Sequence, residues 1–247
     1  MNLDFTNKTV IVTGGTRGIG ASLANAFCLT GAKVLITGTK NEDDVNLDIS
    51  NHKNNVHYHQ LDLLSNESVQ QFLYAVNKLD KVDVLINNAG VNKIKTISEI
   101  SEEDWDWINA VNLKGPFLLS RNVSEKMKQQ ESGKIINIAS IFSVVSKEKR
   151  AAYSTTKWGL IGFTKAVALD LAPFNVLVNA VSPGFVDTAL TRRIIGPKNI
   201  KKLVETIPQK RLANTDEIAN VVLFLCSDLN TYITGQNIIV DGGFTSA

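Results

Sequence analysis

With 247 residues, 44% of them hydrophobic and only 20% charged, the chain is long enough to bury one large core, and an α/β chain of this length is commonly one domain. A net charge of +2 carries no global signal for a nucleic-acid or anionic-membrane partner, and no apolar run approaches the roughly eighteen residues that a membrane span needs. Two cysteines, Cys28 and Cys226, lie far apart in apolar, helix-like contexts; they offer neither a disulfide framework nor a metal-ligand cluster and fit a reducing cytoplasm.

The amino terminus contains Asp4 and runs straight into a strand, so it does not read as a signal peptide. Residues 8–20, KTVIVTGGTRGIG, combine the apolar run TVIV with glycines at 14, 15, 18 and 20, and the helical pattern ASLANAFCLTG follows. A strand, a glycine turn and a helix amino terminus make a cradle for a pyrophosphate, because free backbone N–H groups and the helix dipole both favour the anion. The alternative is an ordinary tight turn. The strand KVLIT then follows, and the asparagine-rich stretch Asn41 to Asn55 reads as an exposed loop.

Strand-like and helical patterns alternate through the remainder: NVHYHQL, NESVQQFLYAVNKL, DVLIN, a long helix from about Glu102 to Gln130, KIINIA, a helix from about Tyr153, NVLVNAV, a helix near Asp216 to Cys226, and NIIV. This alternation predicts a Rossmann-like doubly wound parallel sheet of about seven strands, flanked by helices in a single domain. His57 and His59 alternate on one strand like metal ligands, but no third ligand accompanies them, so their expected role is structural and no metal is expected. Pro116 falls inside the long helix and lacks the N–H that would bond Asn112 O four residues back, which predicts a kink there.

Tyr153 and Lys157 are four residues apart and share a helix face. A phenol titrating near ~10 is a poor acid or base at neutral pH, but a nearby ammonium favours its phenolate. Ser140 follows the apolar run KIINIA, so its hydroxyl is expected at the carboxyl end of a buried strand.

Together with TGGTRGIG, the turn NNAG at Asn87 to Gly90, Asn112, Ser140, the Tyr153-x-x-x-Lys157 pair and the PG of Pro183 and Gly184, the chain resembles the short-chain dehydrogenase/reductase family over nearly its whole length, including 3-oxoacyl reductase-like members. The resemblance implies an NADP(H)- or NAD(H)-dependent oxidoreductase that interconverts a ketone and a secondary alcohol, assembled as a homotetramer. It implies a tetrad of Asn112, Ser140, Tyr153 and Lys157, in which Ser140 binds the carbonyl oxygen, Tyr153 protonates it, and Lys157 lowers the Tyr153 pKa and holds the nicotinamide ribose. The main-chain carbonyl of Asn112 would hold a water linking Lys157 to solvent. Gly14, Thr16, Arg17, Gly18, Ile19 and Gly20 would line the cofactor phosphates, and Asp62 the adenine. Asn88, Ala89 and Gly90 would pass beside its ribose, with Pro183, Gly184, Val186 and Thr188 at the nicotinamide. Relatives that bind NAD place an acidic residue at the end of the second strand; this chain has Gly38, followed by Thr39 and Lys40, which points to NADP(H), although Glu42, Asp43 and Asp44 lie close by.

Phe174 stands where many acyl-carrier-protein reductases have a basic residue, and the loop Ser146 to Arg150 is charged where many relatives are small. Arg150 either reaches the mouth of the site or is a solvated loop arginine. Trp105, Trp107 and Trp158 either stack on substrate or, the expectation adopted, pack in the core or between subunits. Residues 187–211, a substrate lid by resemblance, hold seven basic and two acidic residues, a local +5 that leaves −3 for the remainder. A basic lid would favour an anionic small-molecule substrate; the alternative is a solvated helix. Two other readings stand: an NAD-dependent sugar or polyol dehydrogenase of the same family, and a non-catalytic dinucleotide-binding sensor.

Overall fold

The computed structural model describes residues 3–45 and 55–247; most of the asparagine-rich stretch assigned to an exposed loop therefore lies outside the described residues. Seven strands, β1 (Thr9–Val12), β2 (Lys33–Gly38), β3 (Val56–Gln60), β4 (Val84–Asn87), β5 (Gly133–Ile138), β6 (Val176–Pro183) and β7 (Asn237–Val240), form one parallel sheet in the order β3-β2-β1-β4-β5-β6-β7. Val10 pairs with Val34 on one side and with Val84 on the other, so chain order reverses direction at β1 and β4. In such a sheet the crevice at the reversal point opens at the carboxyl ends of the strands.

The strands are nearly continuous apolar runs because both of their faces are covered. Val10 and Val12 point into one core with Val84, Ile86, Ile136 and Ile138. Ile11, Leu85 and Ile135 alternate into the other. Helices α1 (Gly18–Leu29) and α8 (Thr215–Cys226) cover the first face through Leu23, Phe27, Ile218 and Val222. Helices α2 (Asn66–Asn77), α4 (Gly115–Gln130) and α5 (Ala151–Leu171) cover the second through Phe72, Leu119, Val123 and Leu171. Helix starts follow local chemistry: the Ser65 hydroxyl accepts from Ser68 N–H ahead of α2, and Asn214 and Glu217 form a capping box on α8.

The long helix expected from Glu102 to Gln130 is instead three segments: α3 (Glu102–Asn109), a π turn over Ala110–Lys114, and α4. Gly115 N–H donates to Ala110 O, five residues back, so the backbone widens by a π turn directly before Pro116. The π turn is centred on Asn112. Two further helices, α6 (Ala189–Ile195) and α7 (Pro197–Thr206), follow β6.

Candidate active site

A cleft of about 880 Å³ runs across the carboxyl ends of the strands, from the glycine loop to the residues after β6. Every sequence-predicted residue of the cofactor half lines it: Gly14, Thr16, Arg17, Gly18, Ile19, Gly20, Gly38, Thr39, Asp62, Asn88, Ala89, Gly90, Pro183, Gly184, Val186 and Thr188. Ser140, Tyr153 and Lys157 line it as well, whereas Asn112 does not.

The glycine loop leaves no room for side chains at its tightest point. A Cβ on Gly20 would sit 2.2 Å from Gly14 O and 2.6 Å from Asn88 Nδ2, so α1 can start against the loop only with glycine there. Gly14 and Gly18 take φ of +64° and +55°, left-handed conformations that glycine adopts without penalty. The first N–H groups of α1 have no intrahelical acceptor, which suits this cradle to a pyrophosphate. Thr188 caps α6 by accepting from Thr191 N–H, and its Cγ2 would lie 3.6 Å from a Cβ on Gly18, so the segment after β6 closes against the glycine loop.

Thr13, which sequence reasoning missed, holds the turn on the far side. Its hydroxyl accepts from Asn88 N–H at 2.9 Å and Ala89 N–H at 3.0 Å, while Asn88 Nδ2 donates to Thr13 O at 2.8 Å. Thr13 is fully buried next to the glycine motif, and that position is the one signal that could have pointed to it. Beyond β2, Tyr58 Oη donates to Lys40 O and Gln60 Nε2 to Thr39 O, shaping the turn that carries Thr39 and Lys40. Of the three neighbouring acids, Asp44 lines the cleft, together with Arg17 and Lys40.

At the other end, Lys157 is buried and its Nζ donates to Ile138 O at 2.8 Å. An ammonium has three donors, so two remain available toward the cleft. Burial pulls the Lys157 pKa down to about 8, and its Nζ lies 5.6 Å from the Tyr153 ring centroid. Tyr153 keeps part of its surface open to the cleft, yet the apolar walls around it push its pKa upward; a hydrogen bond with Ser140 and the charge of Arg150 pull the other way. The depression expected from Lys157 is therefore absent here, because desolvation outweighs the favourable terms and Arg150 is the cation that acts on the phenol. Ser140, at the carboxyl end of β5, is buried and accepts from Phe142 N–H at 3.2 Å.

Asn112 acts from behind the wall. Its Oδ1 accepts from Val91 N–H, and its Nδ2 donates to Val91 O and to Thr156 Oγ1. Phe142, Phe185 and Asn92 also line the cleft and were not anticipated. Phe142 meets Tyr153 edge to face at 6.2 Å and Phe185 at 6.5 Å.

None of the tryptophans is buried: Trp105 and Trp158 are exposed, while Trp107 lines the cleft beneath Lys93. Among the described side chains of residues 187–211, no charged one lines the cleft. Arg192 makes two 2.6 Å contacts to Asp187, Arg211 pairs with Glu217, and Lys210 donates to Glu205 O. The side chain of Lys198 lies outside the described residues, and those of this segment that line the cleft past Thr188 are Ala189, Leu190, Thr191, Ile194 and Ile195. The charged residue that does face the substrate end is Arg150, which is half-buried. His59 packs edge to face on Phe72, and among the described residues no cluster of His, Cys, Asp or Glu could hold a metal ion.

Residues 14–245 match the family model described as enoyl-(acyl carrier protein) reductase. The chain is 44% identical to the 3-oxoacyl-[acyl-carrier-protein] reductase of Aquifex aeolicus, covering 98% of this chain and 99% of that one. It is 33% identical to an NAD-dependent glycerol dehydrogenase of Listeria innocua, covering 99% and 96%. Among solved structures it is similar to a gluconate 5-dehydrogenase from Burkholderia cenocepacia in complex with NADP and tartrate, with a TM-score of 0.92, 27% identity and coverage of 100% and 98%.

Proposed function

Since this chain belongs to the short-chain dehydrogenase/reductase family, we propose that it is an NADP(H)-dependent oxidoreductase interconverting a ketone and a secondary alcohol, in the manner of a 3-oxoacyl reductase. The observation that carries this reading is the meeting of Ser140, Tyr153 and Lys157 in the same cleft as the glycine cradle. When bound, the cofactor supplies or accepts the hydride. Gly14 to Gly20 would hold its phosphates, Asn88 to Gly90, kept in place by Thr13, would flank the ribose, and Thr188 would lie at the nicotinamide end.

The proteins' own part is a proton and its placement. Ser140 orients the carbonyl oxygen, and Tyr153, protonated at neutral pH as any phenol is, gives that oxygen a proton. In the oxidative direction the same phenol must first lose its proton. Lys157 holds the ribose with its free N–H donors. Asn112 supports the wall through Val91. NADP(H) is favoured over NAD(H) because Gly38 presents no carboxylate, while Arg17 and Lys40 line the cleft where a 2′-phosphate would lie.

A second reading, a polyol or sugar-acid dehydrogenase, is favoured by similarity to the glycerol and gluconate enzymes. One experiment separates the readings: following NADPH and NADH absorbance with 3-oxoacyl thioesters, keto sugars and small neutral ketones. Turnover of a ketone with NADPH supports the proposal; faster turnover of keto sugars or polyols with the NAD couple supports the second. Absence of any turnover leaves the dinucleotide-binding sensor. The chain is proposed to be one domain, with residues 187–211 as the lid, and to form a homotetramer; exposed Phe117, Trp158 and Leu169 on α4 and α5 give an apolar face for such packing. No helix among the described residues is long and apolar enough to cross a membrane.

A further inference from the structure

Arg150 lines the cleft as a cation with no counterion among the described residues. Its Nε and Nη1 are buried and have no hydrogen-bond partner, and no carboxylate among the described residues lies within ion-pair distance of it. Its guanidinium sits over the Phe142 ring at 5.5 Å, and Phe142 in turn abuts Tyr153. Buried guanidinium donors without partners are costly, and proteins ordinarily pair them. Glu148, the nearest acid in the same loop, is largely exposed and contacts Lys147 instead.

The loop is bent to produce this placement. Lys149 takes φ of +64°, a left-handed conformation that a lysine adopts at a cost, and the next residue is Arg150 at the start of α5. Phe142, Phe185, Leu190 and Ile194 line the same cleft as Arg150. An anion entering the cleft there would meet a guanidinium that no carboxylate among the described residues neutralises, beside the Phe142 ring.

We propose that Arg150 is the specificity-determining residue of this site and that the substrate is a ketone carrying a carboxylate within a few bonds of the carbonyl. This deepens the oxidoreductase reading and rests on it. It also moves the source of anion selectivity from the basic segment after β6, whose arginines 192 and 211 are already paired, to one residue three positions before Tyr153. Arg150 would hold the carboxylate beside Phe142 while the ketone oxygen reaches Ser140 and Tyr153.

The test uses matched pairs: 2-oxobutanoate, 3-oxobutanoate and 4-oxopentanoate, each against its methyl ester, with NADPH and the full-length protein. In the native enzyme at least one carboxylate should exceed its ester in kcat/KM by about tenfold to a hundredfold, the scale of a desolvated charge-assisted pair. Arg150→Gln should bring that ratio toward one, chiefly through KM of the carboxylate, and Arg150→Lys should restore part of it. Equal ratios in native enzyme and Arg150→Gln, or native esters matching native acids, would overturn the proposal. Turnover of the esters alone upholds the oxidoreductase reading while the anion subsite fails. Calorimetric titration of the NADP⁺ complex with 3-hydroxybutanoate decides the case if nothing turns over: binding lost in Arg150→Gln supports the subsite, and no binding, or binding that survives the substitution, overturns it.

Discussion

Asn112 grips Val91 from both sides, accepting from its N–H at 2.8 Å and donating to its carbonyl at 2.9 Å. A buried side chain on a π turn thereby fixes the segment that follows Asn88, Ala89 and Gly90 along the cleft. Asn112→Ala would leave both Val91 groups without their partner, at a cost of about 2 kcal/mol. The expected result is a lower Tm together with weaker NADPH binding in a fluorescence titration. Native affinity with lowered Tm would confine Asn112 to a structural role.

Tyr153→Phe should lower kcat by about 10² to 10⁴ while cofactor binding persists, the usual worth of a positioned acid or base. In the native enzyme the reductive rate should stay level through neutral pH, because the raised Tyr153 pKa keeps the phenol protonated, and the oxidative rate should climb with pH. Retention of most activity by the phenylalanine variant would remove Tyr153 from the mechanism.

Lys157 titrates at about 8 in the fold against an ordinary 10.5. Between those values the unfolded chain binds more protons, so stability rises with pH across that window, and below it the buried ammonium costs roughly 3 kcal/mol. Urea melts of cofactor-free native protein and Lys157→Met at pH 7.5 to 10.5 should show native stability gaining on the variant. A difference that does not change with pH would contradict the desolvation argument.

Gly38→Asp should shift preference toward NADH, with a penalty the sequence did not foretell. A Cβ there would lie 3.0 Å from Thr16 Cγ2 and 3.2 Å from Tyr58 Oη. Crowding of this kind costs about 1 to 3 kcal/mol. Adding Thr16→Ser, which lacks that methyl, should recover part of the lost Tm. Steady-state kinetics with both cofactors check the preference, and unchanged NADPH selectivity in Gly38→Asp would place the discriminating residue elsewhere.

Pro116→Ala would supply an N–H where none exists, offering Asn112 O an α-helical partner at the edge of the π turn. A higher Tm with slower turnover is expected. A higher Tm with unchanged kcat across the pH range would make Pro116 a feature of helix geometry only.

Light scattering at micromolar concentration should report a tetramer, and Leu169→Glu, placing a charge at a position 78% exposed in the single chain, should shift it to smaller species. A native monomer would refute the assembly.

Local regularities were readable because they depend on spacing alone. Strand and helix patterns predicted about seven strands and a doubly wound sheet, since parallel strands covered on both faces read as nearly continuous apolar runs. The Tyr153–Lys157 spacing was legible because one turn of helix puts the two on one face, and the glycine loop because it stands between a strand pattern and a helix pattern. Charge, in contrast, acts through whichever neighbours the fold supplies. The segment from Asp187 to Arg211 carries its excess in the sequence, but Asp187 and Glu217 consume two of its arginines, and only the tertiary structure shows it. Arg150, one basic residue among several in SKEKR, stands apart because Lys149 turns the chain and Phe142 lies beneath the guanidinium. Trp107 is separated from Trp105 and Trp158 in the same way, by which face of each helix meets the cleft. The raised Tyr153 pKa likewise required the fold, because desolvation depends on every wall around the phenol and spacing to Lys157 supplies only one of the opposing effects.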